Sequence, residues 1–571
     1  MISVADVIVG HLRRAGVGTI FGVPGGGSNL DLIDAAGRAG VTFVLTATET
    51  GAAVAAIAQA EISGRPGACL TTLGPGVTSV VNGVACAWLD RAPLLVFTDS
   101  HPTSTGGVFQ HQRLDHRALL APVTKWSTTL SPANAQSVMG KAVDCAMAPP
   151  CGPVHLECPG DVLSAEARGD KPVDRHGVGE GIAREPGNAG RVLFAPAISL
   201  LKGARRPLLL VGLGARRSID AEAIRSLCLK RGVPAMVTYK AKGVVPDGDL
   251  HFAGVFTNGT IEQSMVAEAD LLLAVGLDPV ELIPRPWAYA QTIVHIGPAR
   301  VDDDHIPFSS QFVSDIPSAM QLAEELLSQS SWDLDAIHEA VVSQRRRLCL
   351  PSSRLAAHRV VQIAADAAAT QARVTVDAGA HMFPATMLWP VAEPNGMLIS
   401  NGLSTMGFAL PAAIGAALLD HGPHGPAKAG HYQQGQAEAG RDRRNASDDG
   451  NGRNRPVVAL TGDGGLLMCA GELLTAVRES LHVIVIVFAD ASLSLIDVKQ
   501  QQRRLGSSGV SLGAVDWCAV ANGLGAAAHR VETEAELSSA MSRALAHHGP
   551  TVIEARIDPG TYPETLHTIR G

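Results

Sequence analysis

The chain lacks most of the features that assign a protein to a class at once. Its nine cysteines include no CxxC pair, so neither a zinc framework nor a disulfide scaffold is indicated, and a reducing, cytoplasmic setting is expected. It has no apolar run of about 18 residues, the length a membrane-spanning helix needs. The start, MISVADVIVGHLRRAGV, reads as an amphipathic helix without the apolar core of a secretion signal. The net charge of −8 is spread without acidic or basic blocks, which argues against nucleic acid as a partner. Aromatic residues are only 4%, while hydrophobic residues reach 46% with 60 glycines in 571 positions. That balance suits a well-buried α/β protein of two to four domains.

The most informative stretch runs from Thr461 to Lys499. TGDGG (Thr461 to Gly465) is followed by a helical segment, an apolar strand HVIVIVF (His482 to Phe488), and then Asp490. Gly462, Gly464 and Gly465 would let backbone N–H groups approach a phosphate closely. Asp463 and Asp490 lie at the carboxyl edges of two successive strands, 490 − 463 = 27 residues apart. In an open parallel sheet such edges are where ligands bind. Two hard carboxylates beside a phosphate cradle describe a Mg²⁺–diphosphate site. Taken alone, the same residues also read as a tight turn and a strand-end cap.

This stretch resembles the metal–diphosphate motif of thiamine-diphosphate enzymes, which runs from GDG to a paired Asn-Asn; here the pair is Ala489-Asp490. The resemblance continues through FGVPGGG (Phe21 to Gly27), SGRPGACLTTLGPG (Ser63 to Gly76), VFQ (Val108 to Gln110), VTKW (Val123 to Trp126), GPVHLECPGDV (Gly152 to Val162) and ISNGLSTMGFALPAAIGAAL (Ile399 to Leu418). These segments are most similar to the acetolactate synthase branch.

The resemblance implies three doubly wound α/β domains: pyrimidine-binding (1–165), middle (190–345) and diphosphate-binding (353–571). It implies thiamine diphosphate and Mg²⁺ as cofactors, the metal being held by Asp463, Asp490 and the backbone oxygen of Ser492. Glu49, at the start of an alanine-rich helix, matches the glutamate that activates the cofactor through its aminopyrimidine ring; read by itself it is a helix-start carboxylate. Met406 matches the residue that keeps the cofactor folded, with ordinary core packing as its other reading. The Ser404 carbonyl would accept from the aminopyrimidine amine. Gly379, Ala380 and His381, the glycines 462, 464 and 465, and Pro24, Gly25 and Gly76 complete the cofactor contacts. Gly26, Gln110 and Lys125 fall near the substrate. In that branch the middle domain also carries FAD, but its Gly-Ala-Arg-Phe motif has become GLDPVEL (Gly276 to Leu282) here, so FAD stays an open expectation.

Other departures are Thr48 for the usual His before the glutamate, His111 for an acidic residue, and Leu73 where benzoylformate-decarboxylase-like members place a His. His111 and His116 are expected at the surface or an interface. The polar stretches from Leu163 to Pro186 and from 421 to 455 read as a linker and a disordered surface insertion. The implied reaction decarboxylates a 2-oxo acid such as pyruvate and joins the remainder to a second 2-oxo acid, in a homodimer or homotetramer with active sites at the subunit interface. A different 2-oxo acid decarboxylase or carboligase is the first alternative. A catalytically silent, cofactor-binding regulatory paralogue is the second.

Overall fold

The structure is a computed structural model that describes residues 2–105, 108–168, 195–368, 372–420 and 455–571. Most of the expected linker and insertion lies outside the described residues. The linker's first residues are not free: Leu163 is buried, and Leu163, Ala165 and Ala167 exchange backbone hydrogen bonds with Ile2, Val4 and Ala5. No helix among the described residues is long and apolar enough to cross a membrane.

Three six-stranded sheets carry the fold, and every strand pairing in them is parallel. The first contains β1 (Thr19–Val23), β2 (Thr42–Leu45), β3 (Gly67–Thr71), β4 (Leu94–Ser100), β5 (Trp126–Thr129) and β6 (Val154–Pro159), in the order 2-1-3-4-6-5. The second contains β7 (Pro207–Val211), β8 (Ala235–Val237), β9 (Phe252–Val255), β10 (Leu271–Val275), β11 (Thr292–Gly297) and β12 (Ser310–Val313), in the order 12-11-10-7-8-9. The third contains β13 (Arg373–Val376), β14 (Met397–Ile399), β15 (Val457–Gly462), β16 (Val483–Ala489), β17 (Ala527–Val531) and β18 (Thr551–Arg556), in the order 14-13-15-16-18-17.

Central strands such as β3, β7 and β10 are buried at every position. This is why they read in the sequence as unbroken apolar runs rather than alternating ones: helices cover both faces of a parallel sheet. The first and third sheets meet through two alanine-rich helices, Glu49–Ser63 and Ala409–Asp420. Small side chains permit the approach. A Cβ at Gly415 would lie 2.1 Å from the Ala55 carbonyl oxygen, so only glycine is accommodated there.

Candidate active site

The parallel pairing of β15 with β16 brings Asp463 and Asp490 to neighbouring strand ends. Asp463 opens the short helix Asp463–Cys469 and is 4% exposed. Its Oδ2 accepts from the backbone N–H groups of Asp490 (2.8 Å) and Ala491 (2.7 Å), and its Oδ1 from the indole Nε1–H of Trp517 (2.6 Å). Asp490 accepts from Ser492 N–H through Oδ1 and from Ser494 Oγ–H through Oδ2. Burial, with the Asp463 charge adding to it, pushes the Asp490 carboxyl up to about 6.

Around this pair the glycines mark where the backbone must pass close to other groups. A Cβ at Gly464 would meet Met406 Cε at 2.8 Å and Leu493 Cδ2 at 2.6 Å, and one at Gly465 would meet Asp377 Oδ2 at 2.2 Å. Met406 is therefore packed onto the GDG turn. Asp377 holds it there: its carboxylate accepts from the N–H groups of Gly407 and Phe408 and from Thr461 Oγ–H. Burial pushes the Asp377 carboxyl up to about 6. Ser404, three residues before Gly407, is exposed and adopts a positive φ of 54°. His381 is buried between Gly379 and Gly462 and stacks on Phe488 at 5.1 Å. Burial keeps its imidazole neutral, down to about 4.

Glu49 belongs to a second cluster, at the carboxyl edge of the first sheet. Thr48 caps its helix, accepting from Gly51 N–H. A Cβ at Gly76 would lie 3.2 Å from Glu49 Oε1 and 2.9 Å from Thr72 Cγ2, and one at Gly25 would lie 2.2 Å from Thr72 Oγ1. Glu49, Gly76 and the Pro24–Gly27 turn are thus neighbours. The two clusters are linked through Glu472, a buried residue on the helix Glu472–Arg478. Its carboxylate accepts from the N–H groups of Ala47 and Thr48 and from the hydroxyls of Thr48 and Thr475. Asp463's own hydrogen-bond partners all come from the third sheet's domain, and none is near Glu49 in the chain.

Comparison with known proteins names this arrangement. Residues 2–119, 194–322 and 377–555 match the N-terminal TPP binding domain, the central domain and the C-terminal TPP binding domain of the thiamine pyrophosphate enzymes. The chain belongs to the thiamine pyrophosphate enzyme family. It is 27% identical to an acetolactate synthase of Bacillus subtilis, over 97% of this chain and 93% of that protein. It is 28% identical to a probable 2-ketoarginine decarboxylase of Pseudomonas aeruginosa, over 97% and 94%. Its fold matches that of a thiamine diphosphate-dependent 4-hydroxybenzoylformate decarboxylase from Rhodococcus jostii, with a TM-score of 0.75, 20% identity, and 97% and 99% of the two chains covered.

For a thiamine pyrophosphate enzyme the residues present fit both cofactor and metal. His381 Nε2 is buried without a partner among the described residues; as an imidazolium it would donate there to a diphosphate oxygen. Of Asp463's four lone pairs three are taken, which leaves one on Oδ1 for a cation. FAD fares differently at the GLGARR turn. The N–H of Gly212 is taken by Val275 O, that of Leu213 by Glu281 Oε2, that of Gly214 by Gly276 O and that of Ala215 by Gly212 O. A buried carboxylate of the chain itself, pushed up to about 7 by burial, sits against that turn. The N–H groups from Gly212 to Ala215 are thus all engaged within the chain, and that stretch does not fit a diphosphate.

The remaining sequence candidates are Gly26, in the Pro24–Gly27 turn, Gln110 and Lys125. Gly26 and Gln110 are exposed. Lys125 is half-buried and donates to Ala148 O at 2.6 Å, with burial lowering its ammonium's pKa. His111 is exposed, as expected, but His116 is not. It is 3% exposed, its Nδ1 lies 3.3 Å from Glu157, and its Nε2 accepts from Gly74 N–H. Gly74, which donates to it, has a φ of 61°. Glu472, Asp377 and Trp517 were missed in the sequence, and only the acid in GELL and the acid ending RVTVD give any local signal.

Proposed function

We propose that this thiamine pyrophosphate enzyme decarboxylates a 2-oxo acid such as pyruvate and joins the remaining carbons to a second 2-oxo acid, as an acetolactate synthase does. The observation that carries this reading is the pairing of a carboxylate–glycine turn, Asp463 to Gly465 with Met406 packed on it, with a second cluster that presents Glu49. Thiamine diphosphate, when bound, supplies the electron sink for the carbanion left by carbon dioxide. Asp463, Asp490 and the Ser492 carbonyl would hold Mg²⁺. His381 and the glycines at 379, 462, 464 and 465 would receive the diphosphate, and Met406 would support the cofactor's bend. The Glu49 side chain, without a hydrogen-bond partner among the described residues, would exchange a proton with the aminopyrimidine nitrogen.

Since Glu49 and Asp463 belong to different clusters of one chain, the reading includes a homodimer in which each active site takes Glu49 from one copy and Asp463 from the other. Leu467, Met468 and Leu474, on the helices that follow the GDG turn, are 47%, 61% and 42% exposed, apolar surface that a second copy would cover. Mixing a Glu49→Gln protein with an Asp463→Ala protein tests this. Two inactive chains should regain about a quarter of wild-type turnover, because half the dimers carry one intact site; no recovery would place both residues in one chain's site.

The reaction is tested by supplying pyruvate, Mg²⁺ and thiamine diphosphate and identifying products by mass spectrometry. Acetolactate is expected. Release of a free aldehyde instead would support a second reading, another 2-oxo acid decarboxylase or carboligase of the family, to which the departures at Thr48, His111 and GLDPVEL (Gly276 to Leu282) point. Absence of carbon dioxide release from a panel of 2-oxo acids would support a silent paralogue.

A further inference from the structure

The pairing of Trp517 with Asp463 lies outside the motif that carries the resemblance, 54 residues further along the chain. Trp517 opens the helix Trp517–Gly523, whose first turn is capped by Asp516 accepting from Ala519 N–H. Asp516 is in turn paired with Arg530 at 2.6 Å, and Arg530 with the buried Glu554 at 2.9 Å. The indole is 1% exposed and packed among the apolar residues between the first and third sheets. Its position is therefore fixed from behind, by a capped helix and an ion-pair chain, and its single N–H is aimed at Asp463 Oδ1.

The consequence concerns the geometry that Asp463 can offer. Two backbone N–H groups fill the acceptor sites of Oδ2, and the indole fills one of the two on Oδ1. With Oδ2 taken by the backbone, a cation can reach only Oδ1, and the indole on Oδ1 keeps the carboxylate from turning about its Cβ–Cγ bond. It presents one lone pair in one direction. Mg²⁺ demands near-ideal octahedral geometry with single-oxygen ligands, whereas Ca²⁺ accepts irregular shells and two-oxygen carboxylates.

We propose that Trp517 is a positioning residue which fixes the direction of Asp463's one free Oδ1 lone pair and thereby makes the site select Mg²⁺ over Ca²⁺. This rests on the thiamine-diphosphate reading above. Loss of the indole N–H would free Oδ1, and the ion with the stricter geometric demand would suffer more.

The test is the uptake of thiamine diphosphate by the full-length protein, titrated calorimetrically with MgCl₂ and separately with CaCl₂, for the wild type and Trp517→Phe. In the wild type, apparent affinity for Mg²⁺ should exceed that for Ca²⁺. In Trp517→Phe, Mg²⁺ affinity should fall about ten-fold or more, the usual cost of losing a group that orients a metal ligand, while Ca²⁺ affinity falls by less, so that their ratio moves toward one. Equal losses for the two ions would mark Trp517 as merely structural and overturn the proposal. So would a wild type that binds both ions alike, a result that needs no variant and stands even if Trp517→Phe does not fold. A wild type that takes up no thiamine diphosphate with either ion would overturn the functional reading itself, and the proposal with it.

Discussion

The first and third sheets are built to one plan and put to different uses. Both have the strand order 2-1-3-4-6-5 when numbered from their own first strand. In the first, β3 runs into Thr72-Leu73-Gly74-Pro75-Gly76; in the third, β15 runs into Gly462-Asp463-Gly464-Gly465. The strand β2 leads to Glu49 and its helix, and the equivalent β14 leads to Met406 and the helix Ala409–Asp420. An aspartate stands at the end of both fourth strands, Asp99 on β4 and Asp490 just after β16. Asp99 is occupied by Ser28, accepting from its N–H and Oγ–H, and burial raises its carboxyl. Asp490 faces Asp463. A parallel sheet thus supplies the same edge twice, and the residue in the third turn decides what the edge can hold. A proline and two glycines lie beside Glu49, whereas an aspartate and three glycines form the turn that, on the proposed reading, would hold cation and diphosphate.

The sharpest break in this comparison is Glu49→Gln. It should keep cofactor binding and lower turnover by about 10²- to 10⁴-fold, the range for removing a proton-transfer group, as read by product formation at saturating cofactor. Undiminished turnover would remove Glu49 from that role.

The link between the two halves is tested at Gly51, where a Cβ would lie 2.1 Å from Glu472 Oε1. Gly51→Ala should destabilise the protein by about 1–3 kcal/mol, the cost of crowding a packed interior, in chemical denaturation. A neutral result would mean that Glu472 does not clamp the start of the Glu49 helix.

A smaller effect separates the halves by pH. Burial holds His155 in the first sheet and His381 in the third down to about 4, below the ordinary 6.5. The unfolded chain takes up protons there that the folded chain refuses. Stability present above pH 6.5 is therefore lost as pH falls toward 4, by on the order of 3 kcal/mol for each histidine. His155 is satisfied by Thr98 and Ser127, each at 2.8 Å, while His381 Nε2 has no partner among the described residues. Thiamine diphosphate with Mg²⁺ should change the pH dependence contributed by His381 and leave that of His155 alone. The variants His381→Gln and His155→Gln, unfolded across this pH range with and without cofactor, separate the two.

Much of this architecture was legible in the chain because its signals are local. Unbroken apolar runs such as PLLLV and HVIVIVF mark strands buried on both faces, and glycine turns close them. The short strands β9, β12 and β14 carry too few residues to announce themselves, and their places come from pairing with longer neighbours. In the same way Asp463 and Glu49 stand out from the residues beside them. Glu472 acts on Ala47 and Thr48, more than 400 positions away, and Asp377 and Trp517 also act only across the fold. A buried acid whose donors lie on distant segments leaves no periodicity to read. His116 misled for that reason, since its partners Gly74 and Glu157 are each about 40 residues distant.

The claim on which all of this depends is that the third sheet's turn, and not its counterpart in the first, holds the cofactor through a cation. Calorimetric titration of thiamine diphosphate, with and without Mg²⁺, into wild type, Asp463→Ala and Asp99→Asn addresses it directly. The account predicts Mg²⁺-dependent uptake in the wild type and in Asp99→Asn, and none in Asp463→Ala. Undiminished uptake by Asp463→Ala, or none by the wild type, would contradict it.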